Sequence, residues 1–434
     1  MNSFTINKLY SRLRQISDAN EFWVAYSGGV DSHVLLHSLA SLRKNHPELK
    51  ITAIHINHSL SKNAASWNEH CRKICLPLKI DFVSRTIDVK AAHKKKQSLE
   101  AVARKLRYLV FAETLPQHAV LLTAHHADDQ AETVLLQLLR GCGVKGLAGI
   151  AVKNTLGKGY LVRPLLQFAR ADLVIYAKQH RLKWREDESN LNLKISRNYV
   201  RHKLLPLIAK HWLGAHKTLA QAAQNAIDAN ELLDTLAAMD YKKTTGSVAN
   251  TLSVTKLLNL SASRQRNVIR FWLNKLNLPL PSSIKLEHLQ KDILHCRSDA
   301  NPCVHWHGAE VRRYLDDIYA IVPLTPCDNM REFYWDLRQD LVIPHLGKLH
   351  ISHGKNIKPV VVRFRRGGER LILPKRQGTH ALSKMFQEWK VPTWQRGRIP
   401  LIYQDNKLIA VVGYGMGEGW DKKTKLELVT ENKR

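Results

Sequence analysis

Six consecutive residues, Ser27-Gly28-Gly29-Val30-Asp31-Ser32, place two hydroxyls, two glycines and a carboxylate between an apolar run and a helical pattern. The glycines allow backbone conformations and close approaches that a Cβ would block. Several amide N–H groups can then converge on one anion, aided by the positive end of the following helix. Ser27 and Ser32 add hydroxyl donors. Asp31 would repel a bare phosphate, so it calls for a divalent cation or a nucleotide group that complements it. The purely structural alternative is a Gly-Gly turn capped by Asp31. The spacing fits neither familiar phosphate motif: no Gly-Lys pair is followed by Ser or Thr, and G-x-G-x-x-G is absent from this turn.

A second reactive group is His125-His126-Ala127-Asp128-Asp129, followed by Glu132. A carboxylate or imidazole in such a group can anchor an amine or take its proton. Acid at a helix start also suits the helix dipole, which is the structural alternative. H-x-x-x-D resembles the spacing of metal ligands on a helix, but no second ligand set accompanies it, so permanent zinc is not expected. Cysteines stand at 71, 75, 142, 296, 303 and 327 with no C-x-x-C, which argues against zinc-ribbon and iron–sulfur centres.

Smaller sets surround these two. Glu100, Arg104 and Arg107 lie three or four apart, along one helical side that is either solvated or in contact with a substrate. His55, Asn57 and His58 follow a strand pattern. Four glycines between 141 and 149 predict a tight loop shaping a pocket. Asp187, Asn190, Arg197, Asn198 and Arg201 fit a polar loop and helix start. Residues 355–376 hold eight Lys or Arg against one acid, Glu369, with Phe364, Trp389 and Trp394 nearby. Basic residues bind phosphates and aromatics stack on unpaired bases, although core aromatics under a basic surface are the alternative. Arg363, Arg365, Arg366 and Arg370 are the residues expected to make that contact.

The elements that must position these residues are legible as patterns. Strands are expected at Phe22–Tyr26, Ile51–Ile56, Lys79–Ile87 and Val120–Ala124. Helices are expected at Asp31–Arg43, Ser98–Leu115 and Asp128–Arg140. This alternation predicts an α/β fold, a doubly wound parallel sheet of Rossmann type. Ligands in such sheets bind beyond the carboxyl ends of the strands, where "SGGVDS", "NHSLS" and "HHADDQAET" all begin. Further helices are expected at Lys217–Tyr241, Ser261–Leu276 and Ile284–Cys296, then a linker at 322–329. A small α+β domain follows, with a helix at His380–Trp389 and a hairpin in "YQDNKLIAVVGYG". The expected domains are therefore 1–215, catalytic; 216–325, small and helical; and 355–434, basic.

The 434 residues carry a formal charge of +30 and are 44% apolar, so a large core can form while the surface attracts polyanions. Nucleic acid is the expected partner. No uncharged apolar run reaches the length of a membrane span and the first residues lack a secretory pattern, so a cytoplasmic protein with no membrane partner is expected.

SGGVDS resembles the pyrophosphate loop of ATP pyrophosphatases that adenylate a carbonyl oxygen. "HINHSLS", "SLEAVARKLRY", "TAHHADDQAETVLLQLLRGCGVKGLAGI", "RPLL", "WREDESN" and "RNYVRHKLLP" resemble, in order, the motifs of the tRNA(Ile)-lysidine synthase family. Residues 362–403 resemble its C-terminal domain. The resemblance implies ATP and Mg²⁺ as cofactors, bound by Ser27, Gly28, Gly29, Val30, Asp31 and Ser32, with Asp31 at the metal. It implies Asp31, His125 and Asp129 as catalytic residues. tRNA contacts are expected from Arg104, Arg107, Arg197, Arg201 and the four C-terminal arginines. The implied reaction adenylates C2 of the wobble cytidine of CAU-anticodon tRNA(Ile), and free L-lysine then displaces AMP. A homodimer is left open. A related sulfur-installing enzyme and a non-catalytic tRNA-binding protein are the alternatives, and the missing C-x-x-C argues against the first.

Overall fold

The apolar run at residues 22–26 supplies a strand near the middle of a sheet, and the helix after it is buried along most of its length. The computed structural model describes residues 4–58, 64–93, 98–186, 188–297, 300–352, 358–374, 376–418, 420 and 424–429. Two compact units divide the chain, Met1–Leu232 and Leu233–Arg434.

The first unit runs α1 (Ile6–Ile16), β1 (Glu21–Ala25), α2 (Val30–Leu42), β2 (Lys50–Asn57), α3 (Ala64–Cys75), β3 (Asp81–Thr86), α4 (Val89–Ala92) and α5 (Leu99–Thr114). It continues with β4 (Val120–Leu122), α6 (Ala127–Leu139), α7 (Val144–Leu147), β5 (Lys153–Leu156), β6 (Gly159–Val162) and α8 (Arg170–Gln179). A helical stretch from Ser196 to His211 contains a π-helical turn at Val200–Leu204, and the long helix Ala215–Thr244 enters the second unit.

Strand order is β3-β2-β1-β4-β6-β5, parallel except for β5, which pairs antiparallel with β6. Successive side chains of β1 point to opposite faces. Phe22 and Val24 pack with Val34, Leu35 and Leu39 of α2. Trp23 and Ala25 pack against the cluster of Val102 and Phe111 from α5. The sheet therefore buries both faces, as the βα alternation predicts. Chain order reverses between β1 and β4, so the loops after those two strands diverge and leave a crevice at their carboxyl ends.

The expected strands and helices of this half all form, with ends within two residues. α1, α3, α8 and the β5–β6 hairpin were not expected. α3 escapes a pattern search because two of its buried residues are Cys71 and Cys75, which pack as small apolar groups.

In the second unit the helix expected at Ser261–Leu276 spans Ala262–Lys275, and Ser283–His288 runs into a π-helical turn at Leu289–Leu294. Beside them stands an antiparallel sheet that the helical reading of 216–325 lacked, ordered Leu252–Ser253, Asp317–Ile321, Ala309–Tyr314, Cys303–Trp306. Charged positions such as Arg312, Arg313 and Asp317 break its apolar alternation, yet Val304, Val311 and Ile318 form its buried side. The final segment forms five-, three- and two-stranded antiparallel sheets with a helix at Leu382–Glu388. Its expected hairpin closes through Asp405 and Asn406, both at positive φ, between paired Gln404 and Lys407.

Burial of α2 also encloses histidines. His33 is 3% exposed and meets the Tyr26 ring edge-on at 5.9 Å. Burial first, then the neighbouring His37 and His70, push its pKa down to about 4. An unfolded imidazole titrates near about 6.5. The unfolded chain thus binds the extra proton between those values, and stability falls as pH drops through that window, by on the order of 3 kcal/mol. The melting temperature is expected to fall between neutral pH and the lower end of this window, and His33→Phe to flatten that slope. An unchanged slope in the variant contradicts the assignment.

Candidate active site

The loop after β1 is drawn tight by its own hydroxyls. Ser32 Oγ donates to the Gly29 carbonyl at 3.0 Å, accepts the Ser27 amide at 3.2 Å and lies 3.0 Å from Ser27 Oγ. Gly28 takes φ +83°, a conformation open to glycine, and Gly29 caps α2. The Val30 side chain is buried in the core, so only its main chain is available to a ligand. The start of α2 therefore presents amides at the positive end of a helix dipole, with the two hydroxyls beside them engaged in the loop's own hydrogen bonds.

Asp31 stands at the start of the same helix. Among the described residues its Oδ1 is buried and meets no hydrogen-bond donor; Arg170 Nε lies 3.8 Å away, too far for one. Its Oδ2 is 3.7 Å from Nε2 of His126, the N-cap of α6. His126 is 2% exposed, with Asp129 Oδ2 at 3.4 Å from Nε2 and Asp128 Oδ2 at 3.6 Å from Nδ1. Burial alone would depress the ring's pKa, but Asp128, Asp31 and Asp129 outweigh it and raise it to about 10. The Asp129 amide also approaches Nδ1, at 3.4 Å, a weak contact beside three carboxylates that favour the charged form of the ring.

The preceding histidine is its opposite. His125 Nδ1 lies 2.9 Å from Thr123 Oγ1. Burial lowers its pKa to about 3; Asp129 opposes that, while Arg163, Arg197 and Arg104 reinforce it. Two adjacent histidines thus hold different charges at neutral pH.

Asp128 is held ionised, at about 2: burial resists ionisation, but His126, the Arg170 amide at 2.8 Å and His216 prevail. Asp129 is likewise lowered against its burial, by His126 and Arg197. Glu132, 1% exposed, takes Arg197 Nε at 2.8 Å and Arg201 Nε at 2.6 Å, while both arginines donate to Asp129 Oδ1, at 2.9 and 3.0 Å. Asp31, Asp128, Asp129 and Glu132 are thereby matched by His126, Arg170, Arg197 and Arg201.

Asp31, Asp129, the phosphate loop and the His125 segment thus meet at the β1–β4 crevice. Arg197 and Arg201, expected at tRNA, instead turn their guanidinium groups onto Asp129 and Glu132. Arg104 and Arg107 of α5 pack over Tyr108 at 5.1 and 5.6 Å, Arg104 exposed and Arg107 half-buried. His55 is a packing residue: buried, its Nδ1 is 2.8 Å from the Tyr26 carbonyl oxygen. Asn57 ends β2, and His58 follows it. Gln130 pins the glycine loop through Ile150 N–H at 2.6 Å, and a Cβ at Gly149 would lie 2.6 Å from Gln130 Oε1. Asn198 is buried and donates to the Asn192 carbonyl at 3.1 Å; the Asn190 carbonyl meets His202 at 2.9 Å; Asp187 lies outside the described residues.

In the second unit, Arg363 and Arg366 share Glu332, each at 3.1 Å, Arg365 faces Glu369 at 3.8 Å, and exposed Arg370 donates to the Thr379 carbonyl. Phe364 is a core residue at 2% exposure, so it offers no face for a base. Trp394 is packed by Tyr314, Tyr319 and Arg312, and Trp389 stacks on Tyr414 at 5.7 Å.

Arg163 and Arg170 were missed by sequence reasoning, and His126, although part of the reactive group, was given no role of its own. His126 reads as a helix cap, and nothing local shows that its ring will face Asp31, which is ninety-five residues away in the chain.

Three family models match: a PP-loop domain over residues 2–208, a TilS substrate binding domain over 252–319 and a TilS substrate C-terminal domain over 360–430. The tRNA(Ile)-lysidine synthase of Coxiella burnetii is 42% identical across 97% of this chain and 94% of its own length. That of Alkalilimnicola ehrlichii is 38% identical across 98% and 96%, and that of Legionella pneumophila (strain Lens) 37% across 94% of each.

Removing a buried carboxylate from a paired network leaves cations uncompensated. Glu132→Ala is expected to destabilise the first unit by about 3–5 kcal/mol, read as a lower melting temperature. A melting temperature equal to the parent's would show that the arginines find other partners.

Proposed function

The chain belongs to the tRNA(Ile)-lysidine synthase family, and from that premise we propose how its residues make lysidine on tRNA(Ile). The observation that carries the reading is His126, which bridges Asp31 of the phosphate loop to Asp129 of the second cluster. The phosphate end and the amine end of the reaction then share one crevice. The sulfur-installing and non-catalytic alternatives are not favoured by these relatives.

Amides of Gly28, Gly29 and Val30 and hydroxyls of Ser27 and Ser32 hold the β- and γ-phosphates of ATP. Donors are thereby pre-placed where charge develops as pyrophosphate leaves. The O2 atom of the wobble cytidine attacks the α-phosphorus and forms an adenylated base. The ε-ammonium of free L-lysine gives up one proton to water, the amine adds at C2 and releases its second proton to the departing phosphate, and the C2–O bond breaks as AMP leaves with the oxygen. Asp129, kept ionised, receives the lysine ammonium by exchanging one guanidinium contact on Oδ1, while both arginines stay paired with Glu132. His125 is too weak a base to keep the amine's proton and serves as a neutral hydrogen-bonding group.

Mg²⁺ fits at Asp31, whose Oδ1 is buried without a donor, provided the triphosphate and water complete the oxygen shell. When bound it neutralises charge on the phosphates. Arg104 and Arg107 are assigned to tRNA near the pocket, and Arg363, Arg365, Arg366 and Arg370 to its backbone. Residues 1–215 form the catalytic domain in this reading, 216–325 bind substrate and 355–434 bind tRNA. Arg197 and Arg201 are positioning residues for Asp129 and Glu132.

Purified protein with ATP, Mg²⁺ and CAU-anticodon tRNA(Ile) is expected to fix labelled lysine in the tRNA. Asp31→Ala is expected to abolish incorporation while tRNA binding persists in a filter assay. Bound, folded tRNA that takes up no lysine would overturn the reading.

A further inference from the structure

Two carbonyl oxygens of the phosphate loop are held from behind. Trp67 of α3 donates its indole N–H to the Ser27 carbonyl at 2.8 Å. The Arg185 amide donates to the Gly28 carbonyl at 3.1 Å. The two donors are themselves tied, because Arg185 Nη1 donates to Ser66 Oγ at 2.6 Å, beside Trp67 on α3. In a trans peptide the C=O and N–H point opposite ways, and no cis bond occurs among the described residues. Fixing the Ser27 carbonyl toward α3 therefore turns the Gly28 N–H to the opposite side of the loop. Fixing the Gly28 carbonyl toward Arg185 turns the Gly29 N–H away from that segment.

Close contact explains the glycine. A Cβ on Gly28 would lie 2.5 Å from Trp67 Nε1 and 3.0 Å from Cys71 Sγ, besides straining a backbone at φ +83°. The loop thus lies directly on the indole. Trp67 also packs against the core beneath α2, which limits the ring's motion.

We propose that Trp67 is a positioning residue for the phosphate loop: its indole N–H, with the Arg185 amide, sets the peptide planes that aim the Gly28 and Gly29 amides at pyrophosphate. The inference rests on the pyrophosphate-cradle reading above. Trp67 itself touches neither substrate nor reacting atoms. Its loss weakens affinity for the β- and γ-phosphates and leaves the lysine end of the crevice alone.

The test is lysidine-forming activity of the full chain carrying Trp67→Phe, which removes the N–H and keeps an aromatic ring. One net hydrogen bond corresponds to roughly a three- to tenfold change in affinity. KM for ATP is expected to rise by that factor, and the inhibition constant of added pyrophosphate with it. KM for lysine is expected to stay within about twofold. Replacing Trp67 by 3-benzothienylalanine, which keeps the ring's size and exchanges N–H for sulfur, covers the case in which Phe unsettles the fold, and is expected to give the same rise. An unchanged pyrophosphate constant in the benzothienyl variant overturns the proposal. So does an equal rise in both KM values with a lower melting temperature, which marks a merely structural residue. Ser32→Ala separates the two readings. If it weakens pyrophosphate inhibition and the Trp67 variants do not, the positioning role is wrong and the cradle stands. If none of the variants moves the constant, the cradle reading fails and takes the inference with it.

Discussion

His126 carries its charge inside the protein, within 3.7 Å of Asp31, 3.6 Å of Asp128 and 3.4 Å of Asp129. A buried cation is costly unless carboxylates surround it, and buried carboxylates are costly without the cation. Each therefore requires the other. That requirement fixes the ends of two helices against each other, since Asp31 begins α2 and the other three begin α6. It is met because β1 and β4 are neighbours in the sheet and their following loops diverge. The second tier, Arg197 and Arg201 on Glu132 and Asp129, ties the helical stretch after residue 196 to the same point. The chemistry proposed for the crevice depends on this network twice. It keeps Asp129 ionised for an amine, and it sets Asp31 beside the phosphate loop.

Much of this arrangement was legible before any coordinates. The alternation of β runs and amphipathic helices specified the parallel sheet, because strands buried on both faces need apolar residues throughout. The loop motif and the acidic cluster were found because their residue types are rare in combination. The less legible parts depend on tertiary partners. Arg197 and Arg201 looked like tRNA contacts, since a sequence shows charge but not the direction in which it turns. Both histidines stood out in the sequence, but the catalytic role went to His125, since only the fold shows which ring is shut in with carboxylates. His55 looked like a pocket residue because it lies near the end of β2; burial and the Tyr26 carbonyl make it a packing residue. The sheet that includes residues 303–321 was hidden because charged residues alternate with its apolar ones, and two of them, Glu310 and Asp317, are buried in polar contacts that only the fold supplies.

The second unit bears on function through charge and shape. Its arginines at 363 and 366 are braced by Glu332, so their guanidinium groups are held in place, while Arg365 stands 3.8 Å from Glu369. Such bracing lowers the ordering cost of binding a polyanion. The chain's net charge of +30 supplies long-range attraction for tRNA, which salt will screen. Phe364 is internal and offers no face for stacking, whereas Trp389 and Trp394 are only partly buried.

In this mechanism the tRNA base is activated with AMP before lysine attacks it. This order is tested most directly by incubating the protein with ATP labelled at the α-phosphate, Mg²⁺ and CAU-anticodon tRNA(Ile), with lysine omitted. Label is expected to become attached to the tRNA and to be released as AMP when lysine is added, as lysidine forms. Label that never joins the tRNA while lysidine still forms on addition of lysine would contradict it.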